Sequence, residues 1–582
     1  MEEEKEKAQS FLAESEEGTF ETDMKKQICD DPSYFPSNES TSRNFRSLEE
    51  LARACDRFSV SNAAGAFIAN DYGLLTEKNI IDKKKLGRQR TKNREKEKKA
   101  EEKTQKEQPI TGVYMDGRKD ATLVWKEKNG QKRRQVVIED HYSMVEEPES
   151  RYSSHVTPKQ GTGLGVAKAL YSKMKEMKAV DSLKVIGGDG TNVNVGWKTG
   201  AMAYLEKFKG QPLQRQICLL HGIDLPFRAA VKKYVGKTSG PNTFSGPLND
   251  ELHDPKLTDR PIVKFRKIIT NGYECSEEVR KELSTDQLYL LDISRGIISG
   301  KVDDDLAARQ HGTLGHVRWN TTASAVCRLY ASTKNPSKEL KAIINIVINF
   351  CGKIWFHVKQ HSKCTDGPKN LFRMIELLRD LPWEDQQIMR KSIQHNAHYA
   401  HSENLLLTML TDEDKSIREQ AVSTILKIRS ENAAKPVPES VIVEEDCDDI
   451  QIASESEPEE IEGEDDLPTP KIYPVHSFKV PELNFDATTY TEMNSWKKDV
   501  FEPPLTLELS STRLRQCIED PLFVPNYPCH TQMVERTVKM VTEASSAVYG
   551  PEARDGFIRQ QIKSRTIVPK FESKKDAIPL LD

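Results

Sequence analysis

Two aspartates stand at the ends of short apolar runs that read as strands. Gly112-Val-Tyr-Met-Asp116 places a carboxylate at the end of the first, and Val185-Ile-Gly-Gly-Asp189 does the same for a later one. Strand ends in open sheets face a crevice, which is where such sheets carry functional side chains. Two glycines before Asp189 and Gly190 after it leave the backbone open to a ligand. Either aspartate alone could be a turn former or a helix cap. On adjacent strands the pair would share one site, where carboxylates bind divalent cations through hard oxygen ligands and two-metal centres perform in-line phosphoryl displacement. Such a centre needs a third carboxylate, and with 90 Asp+Glu in the chain composition does not select it.

The elements needed to position this pair follow from the pattern. Strands are expected at Gly112–Met115, Ala121–Lys126 and Gln131–Val145, with Asn129-Gly130 as the signal of a hairpin between the last two. A helix is expected over 162–178, a buried strand at Leu183–Gly187 and a helix over Asn194–Phe208. A strand at Gln214–Leu220 and a helix at Leu225–Tyr234 complete the run. Strands first and alternating helices afterwards describe a mixed sheet covered by helices. Upstream, Leu48, Leu51, Ala52, Cys55 and Phe58 are spaced for a helix, and Ala63–Leu75 follows as a second. Helical patterns dominate from about 240 to 435 (340–350, 371–381, 404–428) and return at 535–541 and 553–562.

Charge is segregated along the chain. The totals are 86 Lys+Arg and 90 Asp+Glu, a net charge of −4, yet residues 83–107 hold twelve Lys/Arg against five Glu. This basic run, with Lys83, Lys84, Lys85, Arg88 and Arg90 leading it, reads as a solvated helical face or as a nuclear-import or phosphate-contacting segment. Residues 444–466 hold thirteen Asp/Glu, inside a stretch from 436 to 470 without any Lys or Arg, a disordered acidic linker. No run of 18 apolar residues exists, so a membrane span is not expected. The acidic beginning, MEEEKEKAQS, does not resemble a secretory signal. The ten cysteines are scattered without any C-x-x-C and read as reduced thiols of a cytosolic or nuclear protein.

Tyr114-Met-Asp-Gly-Arg-Lys-Asp-Ala-Thr122 and Gly187-Gly-Asp-Gly-Thr-Asn-Val-Asn194 resemble the first two acidic motifs of hAT-type DDE transposases. Cys218-Leu-Leu-His221, 29 residues after Asp189, is similar to the family's C-x-x-H step. Arg318-Trp-Asn-Thr-Thr322 is similar to its later Arg-Trp segment, and Pro528-Cys-His-Thr-Gln-Met-Val-Glu-Arg-Thr537 to the segment bearing its catalytic glutamate, here Glu535. The five motifs occur in family order over roughly residues 110–565.

The resemblance implies an α/β fold with a large all-α insertion, an RNase H-like mixed sheet interrupted by a helical domain. Asp116, Asp189 and Glu535 would be the catalytic residues and would hold two Mg²⁺ (or Mn²⁺) ions. Arg318 would contact phosphate, and Trp319 would stack on a base drawn out of the duplex; a core position is the alternative for Trp319. Cys218 and His221 are structural or DNA-facing, since a Cys and a His three apart lack two further ligands within reach. The partner would be double-stranded DNA at transposon ends, the protein a nuclear homo-oligomer, and the reaction DNA strand cleavage and joining.

The expected organisation is a disordered acidic tail (1–45), a small helical unit plus basic segment (46–109) and the first part of the core (110–238). The helical insertion (239–435), acidic linker (436–475) and a C-terminal part of the core with dimerisation helices (476–582) follow. The zinc finger with which many hAT proteins begin is missing, and so is their adjacent-tryptophan signature, with only Trp496 nearby. Two rivals remain: a host-adopted DNA- or chromatin-binding protein that no longer cuts, and a scaffold that recruits partners through 444–466. Gly236-Lys-Thr238 fails as a phosphate loop because Val231 stands in place of its first glycine. Gly161-Thr-Gly-Leu-Gly165 fails as a dinucleotide motif, and the sets His357/His361/Cys364 and His395/His398/His401 each lack a fourth ligand.

Overall fold

The computed structural model describes residues 47–58, 60–71, 80–128, 130–237, 245–246, 248–311, 319–360, 364–433, 478–496, 509–530 and 532–567. The tail 1–45 and the linker 436–475 lie outside these residues. The chain divides into two compact units, Met1–Glu97 with Arg559–Asp582, and Lys98–Ile558.

The smaller unit begins with α1 (Leu48–Arg57) and α2 (Asn62–Asp71), followed by α3 (Lys83–Glu107), whose residues beyond Glu97 belong to the larger unit. Ser47 caps α1 by accepting from the Glu50 backbone N–H, at 3.3 Å. Asp82 opens α3 by accepting from the backbone N–H groups of Lys84 and Lys85 at 2.6 and 2.7 Å. Leu51, Ala52, Cys55, Ala66, Ala69 and Leu86 form a small core. The basic run is thus a helix, and its apolar and small residues (Leu86, Gly87) serve that core.

The larger unit holds a five-stranded mixed sheet of order β3-β2-β1-β4-β5. β1 (Gly112–Lys128), β2 (Gln131–Glu147) and β3 (Arg151–Val156) are antiparallel neighbours, while β4 (Val185–Gly188) and β5 (Gln214–Ile217) run parallel to β1. Lys128 lies opposite Gln131 and Gly130 takes φ +71°, so the hairpin expected at Asn129-Gly130 is there. Two expectations are corrected. The strands expected at Gly112–Met115 and Ala121–Lys126 are one strand, because the polar residues Asp116–Asp120 pair with Ser143–Glu139 through the backbone, which needs no apolar side chain. β3 was not expected: Arg-Tyr-Ser-Ser-His-Val is too polar to read as a buried strand, yet Tyr152, Ser153, Ser154 and His155 are all buried.

Helices cover both faces of the sheet. On one, Val113, Met115, Met144 and Ile186 meet α4 (Gly163–Glu176) and α5 (Ala201–Lys209) through Val166, Leu170, Met202, Leu205 and Phe208. The expected helix over Asn194–Phe208 is in fact a short turn, Asn192–Val195, followed by α5, with Gly196 and Gly200 between them. On the other face Tyr114, Val145 and Val185 meet Leu407, Tyr527 and Val534. α6 (Leu219–Tyr234) leads from β5 into an all-helical region. Its main elements are α7 (Thr285–Ser299), α8 (Trp319–Ser332), α9 (Lys338–Ile346), α10 (Gly352–Gln360), α11 (Gly367–Arg379), α12 (Trp383–His395), α13 (Ser402–Leu410), α14 (Lys415–Ala433) and α15 (Ser511–Glu519). One continuous apolar core joins them, and this region belongs to the same compact unit as the sheet.

α16 (Gln532–Ala547) then returns to the sheet, where Thr542 Oγ1 donates to Asp120 at 2.8 Å. α17 (Pro551–Ile567) ends the described chain. Its residues from Arg559 belong to the smaller unit rather than to the core, with Gln560 donating to the Asn93 carbonyl at 3.0 Å. Among the described residues no helix is long and apolar enough to cross a membrane. The eight described cysteines are all free thiols.

Candidate active site

The site begins at the pairing of β1 with β4. Val113 lies beside Ile186 and Tyr114 beside Gly187, where the paired residues end; Asp116 lies two residues further along β1, and Asp189 directly follows β4. Gly187 is required by this pairing, since a Cβ there would stand 2.3 Å from the Tyr114 ring. Gly188 is less constrained, its Cβ position lying 3.1 Å from the flexible end of Met202. Gly187 before Asp189 therefore serves the packing of β4 against β1.

Asp189 is held by the turn that follows β4. Its Oδ1 accepts from the Thr191 backbone N–H at 3.2 Å, the Thr191 hydroxyl at 2.8 Å and the Asn194 side-chain amide at 2.6 Å. These bonds fix the plane of the carboxylate and leave Oδ2 outside the set. Asp116 accepts at Oδ1 from the Gly117 backbone N–H at 2.8 Å. Its side chain shares the face of β1 that carries Tyr114, because successive residues of a strand point to opposite faces. Tyr114 meets Val534 of α16 on that face, and Glu535 is the next residue.

The electrostatics tie these groups together. Burial pushes the Asp116 carboxyl up to about 7, the neighbouring Asp189 pushes the same way, and Glu535 adds to both; His221 acts against them. His221, in the first turns of α6, is pushed up to about 10, first by the Cys218 sulfur hydrogen-bonded to it and then by Glu535 and Asp116. One turn on, burial raises Asp224 to about 6, while its 2.6 Å ion pair with Arg228 and the nearby His221 pull it back. Asp189 and Glu535 thus both act on Asp116, and His221 opposes them. Among the described residues, no three His, Cys, Asp or Glu side chains are gathered tightly enough to hold a metal ion.

A cleft of about 230 Å³ is lined by Pro148, Ser150, Lys359, Asn526, His530 and Gln532, among others. Lys359, hydrogen-bonded to the Gln532 amide oxygen, is lowered to about 7 by burial and then by Arg536; Glu535 acts in the opposite direction. His530 is driven down to about 3 by burial, Lys359 and Arg536. Sequence reasoning missed Asp224, Lys359 and His530, which come from three separate segments and carry no motif that joins them.

The other expected residues are placed differently. Trp319 is only 6% exposed, its ring edge-to-face with Trp355 at 4.9 Å and Phe227 at 5.7 Å. The core position is the one it takes, and in this arrangement its ring offers no free face to a base. Arg318 lies outside the described residues. Lys83, Lys84 and Arg88 are exposed and Lys85 is half-buried. Arg90 is buried and does not face outward as expected. Its guanidinium pairs with Asp56 at 2.6 Å and also reaches the Val60 carbonyl and the Asn62 side chain, so none of its strong donors is left for a phosphate. The chain matches no protein-family model, and no curated protein resembles it at a significant level.

Proposed function

We propose that this protein cuts and joins DNA strands in a metal-dependent reaction of the hAT-type DDE class. Supporting the RNase H-like reading is the strand order β3-β2-β1-β4-β5, antiparallel on one side of β1 and parallel on the other, with a long helical region before α16 returns to the sheet. The observation that carries the function is that Asp116, on the central strand β1, has both Asp189, just past the end of the neighbouring parallel strand β4, and Glu535 close enough to raise its carboxyl.

This donor set suits a hard divalent cation, since a buried carboxyl whose proton affinity is raised by two neighbouring acids gains most when a cation replaces the proton. Asp116, Asp189 and Glu535 would hold Mg²⁺ or Mn²⁺, two ions by the family's chemistry. Bound there, the metal would lower the pKa of an attacking water or 3′-hydroxyl and stabilise the leaving oxygen. Thr191 and Asn194 fix the Asp189 carboxylate so that it does not need to reorganise on binding. Protonated His221 offsets part of the acids' repulsion of a phosphodiester. The expected partners are duplex DNA and a second copy of the chain, and the expected compartment is the nucleus.

A second reading, a DNA-binding derivative that no longer cuts, is favoured by the buried ring of Trp319 and by the looseness of the acid set. Incubating the full chain with supercoiled DNA and Mn²⁺, beside an Asp189→Asn control, separates the two. Nicking by the wild type alone supports the enzyme; binding without nicking by either protein supports the derivative.

A further inference from the structure

The far end of the β1–β2 hairpin has no role in the site just described. Every residue of β2 from Gln131 to Val136 is exposed, and so are Trp125, Lys126 and Glu127 across from them. A strand exposed on both faces is a free ribbon rather than part of a covered sheet. From Trp125 to Val136 the sequence holds five Lys/Arg (Lys126, Lys128, Lys132, Arg133, Arg134) and one acid, Glu127. Among the described residues Lys126, Lys132, Arg133 and Arg134 form no ion pair.

The ribbon is also stiffened. Trp125, 50% exposed, stacks on Tyr549 at 4.8 Å, and the Arg134 guanidinium lies over both rings at 5.8 and 5.6 Å. Arg134 is directly opposite Trp125, and the same face continues through Val136 and Ile138, which are 43% and 61% exposed. Lys126 and its partner Arg133 occupy the opposite face. Cations thus stand on both faces of a narrow two-stranded element, with apolar side chains along one of them. Surfaces of this kind rarely stay bare on a monomer.

We propose that this ribbon enters a groove of duplex DNA, its Lys and Arg side chains reaching the phosphate walls and its apolar face lying against sugars and bases. The major groove, about 12 Å wide, admits a two-stranded β-ribbon. Charge complementarity selects the polyanion over another protein surface. Trp125 lies nine residues along β1 from Asp116, ~30 Å at ~3.3 Å per residue, close to the ~34 Å of one duplex turn. The ribbon would therefore grip DNA about one turn away from the acids. The position of that grip rests on the strand-cutting reading; the grip itself does not.

The test is the salt dependence of binding to a 30-base-pair duplex of arbitrary sequence, followed by fluorescence anisotropy with the full-length chain. The variant carries Lys126→Gln, Lys132→Gln and Arg133→Gln, all on the exposed ribbon, and its thermal unfolding should match the wild type. Each lost phosphate contact lowers the slope of log K against log salt by ~0.9, so the slope should fall by about 2.7. An unchanged slope, or no binding of DNA by the wild type, overturns the proposal. So does a fall in solution mass of the variant without DNA, which would assign the ribbon to contacts between copies. Mn²⁺-dependent nicking with an unchanged slope removes the ribbon and leaves the enzyme; a reduced slope with no nicking does the reverse.

Discussion

Two buried aspartates in this protein meet opposite surroundings. Asp56, in the small helical unit, is fully buried and faces two guanidiniums, Arg90 at 2.6 Å and Arg94 at 2.7 Å, with Asn62 bonded to Arg90 as well. Asp116, in the sheet, feels the charges of Asp189 and Glu535, opposed by His221, and burial together with these acids holds its proton up to about 7. At Asp56 the sequence supplies matching charge, and the result is a structural brace. At Asp116 burial and two neighbouring acids raise the proton affinity, and on the proposed function a cation from outside the chain supplies the counter-charge. Unmatched charge that the fold enforces is how a site for a cation or a proton transfer differs from a structural ion pair.

Substitutions at the two places should therefore fail in different ways. Asp56→Ala leaves two guanidiniums uncompensated and should cost about 3–5 kcal/mol of local stability, read as lost hydrogen-exchange protection over α1, with little change in the sheet. Asp189→Asn should leave stability within about 1 kcal/mol, because it relieves repulsion, while nicking falls by 10³-fold or more, about 4 kcal/mol in barrier. Equal unfolding by both variants would erase the contrast.

A pH dependence sharpens it. The folded pKa of Asp116, about 7, lies above its unfolded value near 3.8, so the folded state keeps the proton longer. Its contribution to stability is full below the unfolded pKa and is lost as pH rises from about 4 to 7. Without divalent cations, Asp116→Asn should match the wild type at pH 4 and exceed it by roughly 1–2 kcal/mol at pH 7, the figure being discounted for partial exposure. Millimolar Mg²⁺ should erase that difference, and a pH-independent difference would contradict the assignment. The smallest effect is at Asn62, whose change to Ala removes one bond to Arg90 and should cost about 1 kcal/mol by the same exchange measurement.

What the sequence disclosed about this contrast is uneven. The neighbourhood of Asp116 and Asp189 was legible, because an apolar run ending in an acid is a local pattern and adjacency in a sheet follows from few choices. The Asn-Gly hairpin was equally local. Glu535 is reached only through motif order in a resemblance; its charge acts on Asp116, yet nothing in its own helix marks it out. β3 stayed hidden because its buried residues are Ser and His, bonded within the core, and polarity reads as exposure. The Tyr152 hydroxyl there donates to Asp555 at 2.9 Å, a pairing 403 residues apart, and so accepts from His155 Nδ1 at 2.9 Å. Arg90 was misread for the same reason: its partner Asp56 lies 34 residues away, and one arginine among twelve cations carries no sign that it is buried. Trp319 shows the reverse, since a motif position suggested a surface and the packing of Phe227 and Trp355 supplied a core.

On the proposed function, Asp116, Asp189 and Glu535 hold a divalent cation between them. Mn²⁺ binding to the metal-free full chain, followed by calorimetry or by the electron-spin signal of free Mn²⁺, tests it without requiring a known DNA target. Saturable binding that is lost in Asp189→Asn and in Glu535→Gln, but kept in a substitution at exposed Asp303, is the expected result. Identical binding by wild type and all three variants would contradict it.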